Sequence, residues 1–201
     1  MIVIFDRQHF GKPNRNDMGA GVDLDGDGTI ELSEQEATLT PFYYLPSQRL
    51  LEKEGHDVII IDSGYYSDRH AQANAIARAN PTEEVIYCAC HINAGKGDYA
   101  AFIHDSRSGR GESIALSLSQ SFQESNLSGV LRSIVRAGSD TNDWKNGYYT
   151  IKGIYSGPNN IGGVCLEPYF LDKPEHQWLT TLDGGERVAE ALVGGLLKWC
   201  A

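Results

Sequence analysis

EVIYCACHINAG, residues 84–95, is the stretch whose reading decides the fold. Val85 to Cys90 form an unbroken apolar run, and Asn93-Ala94-Gly95 close it with a polar turn. A short apolar run bounded by turn residues predicts a strand ending in a Gly-rich turn. HDVIIID (56–62) is a second, β-branched run, typical of a strand buried on both faces. Between the two lies RHAQANAIARAN (69–80), Ala-rich and helical in pattern, with Pro81 after it. Strand, helix, strand in this order is the unit of an α/β protein.

The same alternation continues outward. IVIF (2–5) reads as a first short strand. After a long polar insertion, SQRLLEKEG (47–55) reads as the end of a helix stopped by Gly55. YAAFIH (99–104) and GGVCLEPYF (162–170) are further strands, and GESIALSLSQSFQESN (111–126) has helical apolar spacing. RVAEALVGGLLKW (187–199) closes the chain as an amphipathic helix. Residues 137–160 are polar, with Asn, Asp, Gly and Tyr, and are expected to form loops beside a site. The predicted architecture is α/β: one domain over 1–201, with a mainly parallel (mixed), twisted sheet and helices on both faces.

Composition narrows the function. The 201 residues are 41% apolar, enough for a real core, and carry a formal net charge of −10 with no Lys/Arg cluster. That argues against a nucleic-acid binder, which needs a basic footprint, and against electrostatic docking on anionic membranes. Bound cations are expected to cancel part of the charge. No apolar stretch reaches the length of a membrane span. MIVIFD reads as a strand rather than a signal peptide, so the chain is expected to be made in the cytoplasm. Cys88, Cys90, Cys165 and Cys200 show no zinc-ribbon spacing; the first three lie in apolar runs and are expected to be reduced and buried.

In sheets of this kind chemistry gathers at the carboxyl ends of the strands. Three ends qualify: FDRQHFG (5–11), CACHINAG (88–95) and CLEPYF (165–170). His9 and His91 stand at the first two and can converge across 82 positions of sequence. Neutral imidazole is the commonest zinc ligand, and catalytic zinc takes three protein ligands and one open position. Glu36, near the start of the first helical region, is the candidate third ligand. Glu167, between Leu166 and Pro168, has an apolar setting that suits a general base. The plainer reading makes it the partner of a nearby Lys or Arg.

These residues resemble the zinc-dependent N-acetylmuramoyl-L-alanine amidases of the amidase type 3 group, found in bacterial autolysins and phage endolysins. The family opens with a strand and D-x-G-H-G-G, then a Gly-Ala pair; here stand D-R-Q-H-F-G (6–11) and Gly19-Ala20. Its S-I-H-x-N-A matches C-A-C-H-I-N-A (88–94), its v-L-v-E-x-G-F matches V-C-L-E-P-Y-F (164–170), and its closing helix matches DGGERVAEAL (183–192). Phe10 and Tyr169 stand where the family has glycines, and Ala89-Cys90 where a Ser-Ile pair is usual. The resemblance implies zinc held by His9, Glu36 and His91, with Glu34 the competing carboxylate. It implies Glu167 as catalytic base and hydrolysis of the amide joining muramic acid to L-alanine in peptidoglycan. Asn93 is a candidate for orienting substrate, or simply a turn-forming Asn. A monomer acting on the cell wall is expected, with a phage endolysin released by a holin favoured over an autolysin domain or a tail-associated lysin.

The polar insertion carries a second pattern. From Asp23 to Glu34 the chain reads D-L-D-G-D-G-T-I-E-L-S-E. The EF-hand calcium loop draws oxygen ligands from places 1, 3, 5, 7, 9 and 12, with Gly at 6. Asp23, Asp25, Asp27, Thr29 (through its backbone carbonyl), Glu31 and Glu34 fill those places, and Gly28 is the sixth. NDMGAGV before it is a poor entering helix, so a lone calcium loop is expected, inserted at 23–34 with only an exiting helix. If calcium takes Glu34, Glu36 is left for zinc. Three rival readings differ in class: a thiol peptidase using Cys88 or Cys90, a zinc carboxypeptidase acting on stem peptides, and a calcium-binding wall module without turnover.

Overall fold

The computed structural model describes residues 1–13, 17–138 and 148–201. Its strands are β1 (Ile2–Arg7), β2 (Asp57–Ile61), β3 (Val85–Cys90), β4 (Tyr99–His104), β5 (Arg132–Ala137) and β6 (Ile161–Glu167). They form one six-stranded sheet in the order β2-β1-β3-β6-β4-β5. All neighbours are parallel except β4 and β6. The helices are α1 (Glu36–Leu39), α2 (Pro41–Lys53), α3 (Tyr66–Ala79), α4 (Gly109–Glu124), α5 (Lys152–Tyr155) and α6 (Leu182–Cys200). The mixed, mostly parallel sheet with helices on both faces is the architecture the alternating sequence predicts.

Alternation along each strand sorts side chains between two cores. Val3, Phe5, Cys88, Cys90, Val164 and Leu166 face one side, where α2, α4 and α6 bury residues such as Leu51, Leu118 and Leu192 against them. Ile2, Ile4, Tyr87, Ala89 and Cys165 face the other, under Ala73 and Ala77 of α3 and Ile154 of α5. Each large apolar side chain buried this way contributes about 1.5–3 kcal/mol. Cys88, Cys90 and Cys165 are buried free thiols, as expected, and Cys200 is exposed. Burial pushes the three inner thiols up, so they stay protonated and have no route to a substrate.

Two expectations need correction, and one strand was not anticipated. HDVIIID is not buried on both faces: β2 is a terminal strand, with Asp57 exposed and Val58, Ile59 and Ile60 half-buried. A β-branched run reports a pleated surface, not a central position in the sheet. Second, β5 carries no sequence signal strong enough to announce it, because Arg132 and Arg136 interrupt its short apolar run. Third, the 137–160 region is not all loop, since α5 lies within it and packs on α3; residues 139–147 of that stretch lie outside the described residues. No helix among the described residues is long and apolar enough to cross a membrane.

Candidate metal centre

Strand register brings the site together. Arg7 of β1, Cys90 of β3 and Leu166 of β6 lie level across three parallel strands. One step further along each chain come Gln8, His91 and Glu167, with His9 next. His9 sits at the crest of a three-residue turn in which the Phe10 N–H donates to the Gln8 carbonyl at 2.8 Å. Its φ of +63° is a left-handed conformation that a non-glycine residue adopts only when the surroundings impose it.

Arg69 of α3 imposes it. Its side chain is fully buried and ion-paired with Asp6. Its guanidinium donates to the Arg7 carbonyl at 2.7 Å and also to the Phe10 carbonyl, gripping the chain on both sides of His9. Its Nε donates to Gly64 at 2.7 Å. Asp6 is completed by Tyr87 and Gln8.

Glu36 reaches the same spot from the first turn of α1. Arg7 fixes that turn by donating to the Ala37 carbonyl at 2.9 and 2.7 Å. Glu36 Oε1 accepts from Ile92 N at 3.0 Å and lies 2.8 Å from His91 Nδ1. Oε2 accepts from Ala20 N at 3.0 Å and lies 3.5 Å from His9 Nε2. His9 Nε2 and His91 Nδ1 are 3.2 Å apart, with the rings edge to face. Gly19, at φ +78°, passes so close that a Cβ there would lie 2.4 Å from Glu36 Oε2. Two nitrogens and a carboxylate oxygen thus lie within 4.8 Å of one another.

This donor set fits zinc, which takes imidazole nitrogen and carboxylate oxygen. The His91 nitrogen in this cluster is Nδ1; its Nε2 is buried without a hydrogen-bond partner among the described residues. Burial lowers the His9 pKa and the neighbouring His91 adds to this, against Glu36 and Asp17. Neutral His9 is the form that ligates metal. Burial also opposes charge on His91, but Glu36 outweighs it and raises the pKa.

Asp17 was not anticipated from the sequence. Its Oδ1 lies 2.9 Å from His9 Nδ1, and its Oδ2 accepts from Lys12 Nζ at 2.7 Å. Although partial burial works to raise it, Lys12 and His9 hold this carboxyl well below the usual range. A carboxylate on the far nitrogen of a ligating histidine sets its tautomer and aim.

Glu167 ends β6 and is half-buried. Desolvation raises its pKa, against the opposing pull of His91 and a hydrogen bond from Tyr148 Oη at 3.1 Å. Asn93 spends its Oδ1 on the Ala94 N–H at 2.8 Å, which is the turn-forming behaviour. Of the two departures from the family glycines, Phe10 lies on the surface under the Arg7 guanidinium, and Tyr169 is buried in the core.

Glu34 belongs to a different cluster. The carboxylates of Asp23, Asp25 and Asp27 gather within 4.8 Å, and so do those of Asp25, Glu31 and Glu34. Glu34 accepts from Leu24 N at 2.6 Å and Glu31 N at 3.0 Å. Asp23 accepts from Gly26 N at 2.7 Å and from Gly28 N at 2.9 Å, and Gly28 makes its turn at φ +92°. Thr29 gives its amide and hydroxyl to Asp27, at 2.8 and 2.6 Å; no described hydrogen bond uses its carbonyl. The exiting segment is a 3-10 turn, Leu32–Glu34, followed by α1.

No family model matches the sequence, and no curated protein matches it. Solved structures do. The CwlD amidase from Clostridioides difficile, solved in complex with the GerS lipoprotein, superposes with a TM-score of 0.67 at 19% identity, over 99% of this chain and 98% of its own. N-acetylmuramoyl-L-alanine amidase AmiC2 of Nostoc punctiforme gives 0.67 at 17%, over 100% and 97%. The catalytic domain of the CD27L endolysin, which targets Clostridia difficile, gives 0.61 at 14%, over 98% and 96%.

The chain has the amidase fold.

In this chain the acidic loop and the His9–Glu36–His91 cluster are neighbours joined by backbone. Gly21 and Gln35 form an antiparallel bridge, and Glu36 N donates to Ala20 O at 2.7 Å. The base of the Asp23–Glu34 loop is therefore also the seat of Glu36.

Proposed function

We propose that this protein is a zinc-dependent N-acetylmuramoyl-L-alanine amidase that cleaves the bond between muramic acid and the stem peptide of peptidoglycan. The observation that carries the reading is the meeting of His9, Glu36 and His91 within 4.8 Å, beside a half-buried carboxylate at the end of the next strand. Bound zinc would polarise the amide carbonyl and lower the pKa of a water molecule. The chain supplies the rest. His9, Glu36 and His91 hold the ion, and Asp17 keeps His9 in the tautomer that presents Nε2. Glu167 takes the proton of the attacking water and returns it to the leaving alanine nitrogen, a role its raised pKa suits. The neighbours named as amidases support the bond assignment, and the endolysin among them supports a lytic role.

The loop from Asp23 to Glu34 is read as a structural calcium site, because each EF-hand place is filled and the carboxylates converge in two overlapping triads. Calcium there neutralises part of the chain's net charge of −10.

Purified protein incubated with peptidoglycan tests the function. Release of intact stem peptides with a free alanine N-terminus, blocked by a chelator and restored by zinc, is expected. Cleavage within the stem peptide would instead establish a carboxypeptidase, and turnover unaffected by metal removal would end the zinc reading.

A further inference from the structure

Between α3 and the segment that leads into α5 runs a groove of about 580 Å³, a volume typical of ligand sites. Tyr66, His70 and Arg78 line it from α3; Tyr149 and Lys152 line it from the other side. Each wall is linked to the candidate site through neighbouring residues. Tyr66 Oη accepts from Lys12 Nζ at 3.3 Å, and Lys12 holds the Asp17 that orients His9. Tyr149 follows Tyr148, whose hydroxyl meets Glu167. The Tyr66 and Tyr149 rings pack edge to face at 4.9 Å and join the two walls at that end.

The groove is built, not incidental. His70 Nε2 is hydrogen-bonded to the Thr150 carbonyl at 2.8 Å, and Asn74 Nδ2 donates to the Gly153 carbonyl at 3.0 Å. These two buried side chains fix the far wall to α3. Tyr66 and Arg78 are twelve residues apart on one helix, about 18 Å at 1.5 Å per residue. An extended peptide of about five residues spans that length.

Charge states what fits. The chain carries a formal net charge of −10, yet Arg78 and Lys152 are exposed on the groove and neither meets a carboxylate among the described residues. Neutral sugar gains nothing from two unpaired cations, whereas an acidic peptide does. Tyrosine hydroxyls and rings suit peptide amides and aliphatic stems.

We propose that this groove, beside the candidate site, binds the acidic peptide arm of the substrate along the side of α3. The proposal rests on the hydrolase reading above, since it is the peptide side of the cleaved bond that must leave the centre along a defined path. It makes Arg78 and Lys152 determinants of specificity for anionic peptide chains.

The test uses the whole protein and two probes: an N-acetylated, net-negative tetrapeptide Ala-Glu-Lys-Ala with stem-type γ-linkage at its Glu, and the same peptide with its carboxylates amidated. Calorimetry with wild type and with the R78E/K152E double variant reads binding without turnover. Wild type is expected to bind the acidic peptide about tenfold tighter than the amidated one, and the variant to lose that preference. On a soluble muropeptide the variant is expected to raise KM about tenfold at unchanged kcat, while N-acetylmuramoyl-L-alanine, which lacks the acidic arm, is handled alike by both. Equal affinities for the two peptides, or a preference that survives the double charge reversal, would overturn the proposal. Wild type that binds the acidic peptide with this preference but hydrolyses no muropeptide would remove the amidase reading and leave the groove standing.

Discussion

Arg69 and Asp6 form a fully buried ion pair directly beneath the turn that presents His9. The pair does two jobs. It closes the carboxyl end of β1, and it lets the rest of the guanidinium grip the carbonyls of Arg7 and Phe10 around a left-handed His9. Breaking such a pair by removing one partner costs about 3–5 kcal/mol, because the other charge stays buried. For R69M this is a fall in Tm of roughly 6–20 °C. R69K keeps a charge but cannot span the same carbonyls. It is expected to fold, with a smaller loss of Tm, and to bind zinc more weakly than wild type. A metal titration that finds wild-type affinity in folded R69K would show that the turn holds itself.

Asp17 acts on His9 from the opposite nitrogen. D17N keeps the shape but weakens the acceptor, and zinc affinity is expected to fall by about 10- to 100-fold. Competition with a chromogenic chelator measures it directly. The folded state is barely disturbed, because Asp17 is near the surface, so an unchanged melt with weakened metal binding is the expected combination. Loss of zinc affinity only in step with loss of Tm would mean that Asp17 merely holds the loop.

How much of this was legible in the sequence follows from where each residue sits. His9, His91 and Glu167 could be read because each follows an apolar strand, and parallel strands deliver their ends to one rim. Glu36 could be read only against Glu34, and the structure separates the two by their company: Glu36 lies with the histidines and Glu34 with the aspartates. Asp17, Arg69 and Tyr148 left no comparable trace. They act through single long-range contacts, such as the 62-residue separation between Arg69 and Arg7, and no local period encodes those. The edge position of β2 was hidden for a related reason: sheet order is set by crossovers, while composition reports only strand propensity.

The proximity of the two carboxylate clusters has a measurable consequence. Glu34 anchors the acidic loop through Leu24 and Glu31, and the antiparallel bridge at Gly21 and Gln35 passes from that loop to Glu36. Calcium at 100 times its Kd would stabilise the fold by about 2.7 kcal/mol, near 5–10 °C in Tm. A calcium-selective chelator is expected to remove that increment and to weaken zinc binding as well. E34Q should show both losses at any calcium level. Melting and zinc affinity that ignore calcium would sink the calcium site and its coupling together.

Glu167 is where stability and chemistry oppose each other. Its pKa is raised in the folded protein, chiefly by desolvation, so folding favours its protonated form. Between the ordinary glutamate value and the raised one, the folded state binds more protons than the unfolded, and stability falls as pH rises through that window. At neutral pH the ionised carboxylate therefore costs stability. E167Q is expected to melt slightly higher than wild type there, to keep its zinc, and to lose turnover. Y148F tests the same carboxylate from the other side. Tyr148 donates to Glu167 Oε1, which favours the ionised form. Removing that donor raises the pKa further, so the acid limb of kcat/KM should move up by about one pH unit, near 1.4 kcal/mol of lost hydrogen bonding to a charged group. A Y148F profile that coincides with wild type, or shifts to lower pH, would show that the titrating base is another group.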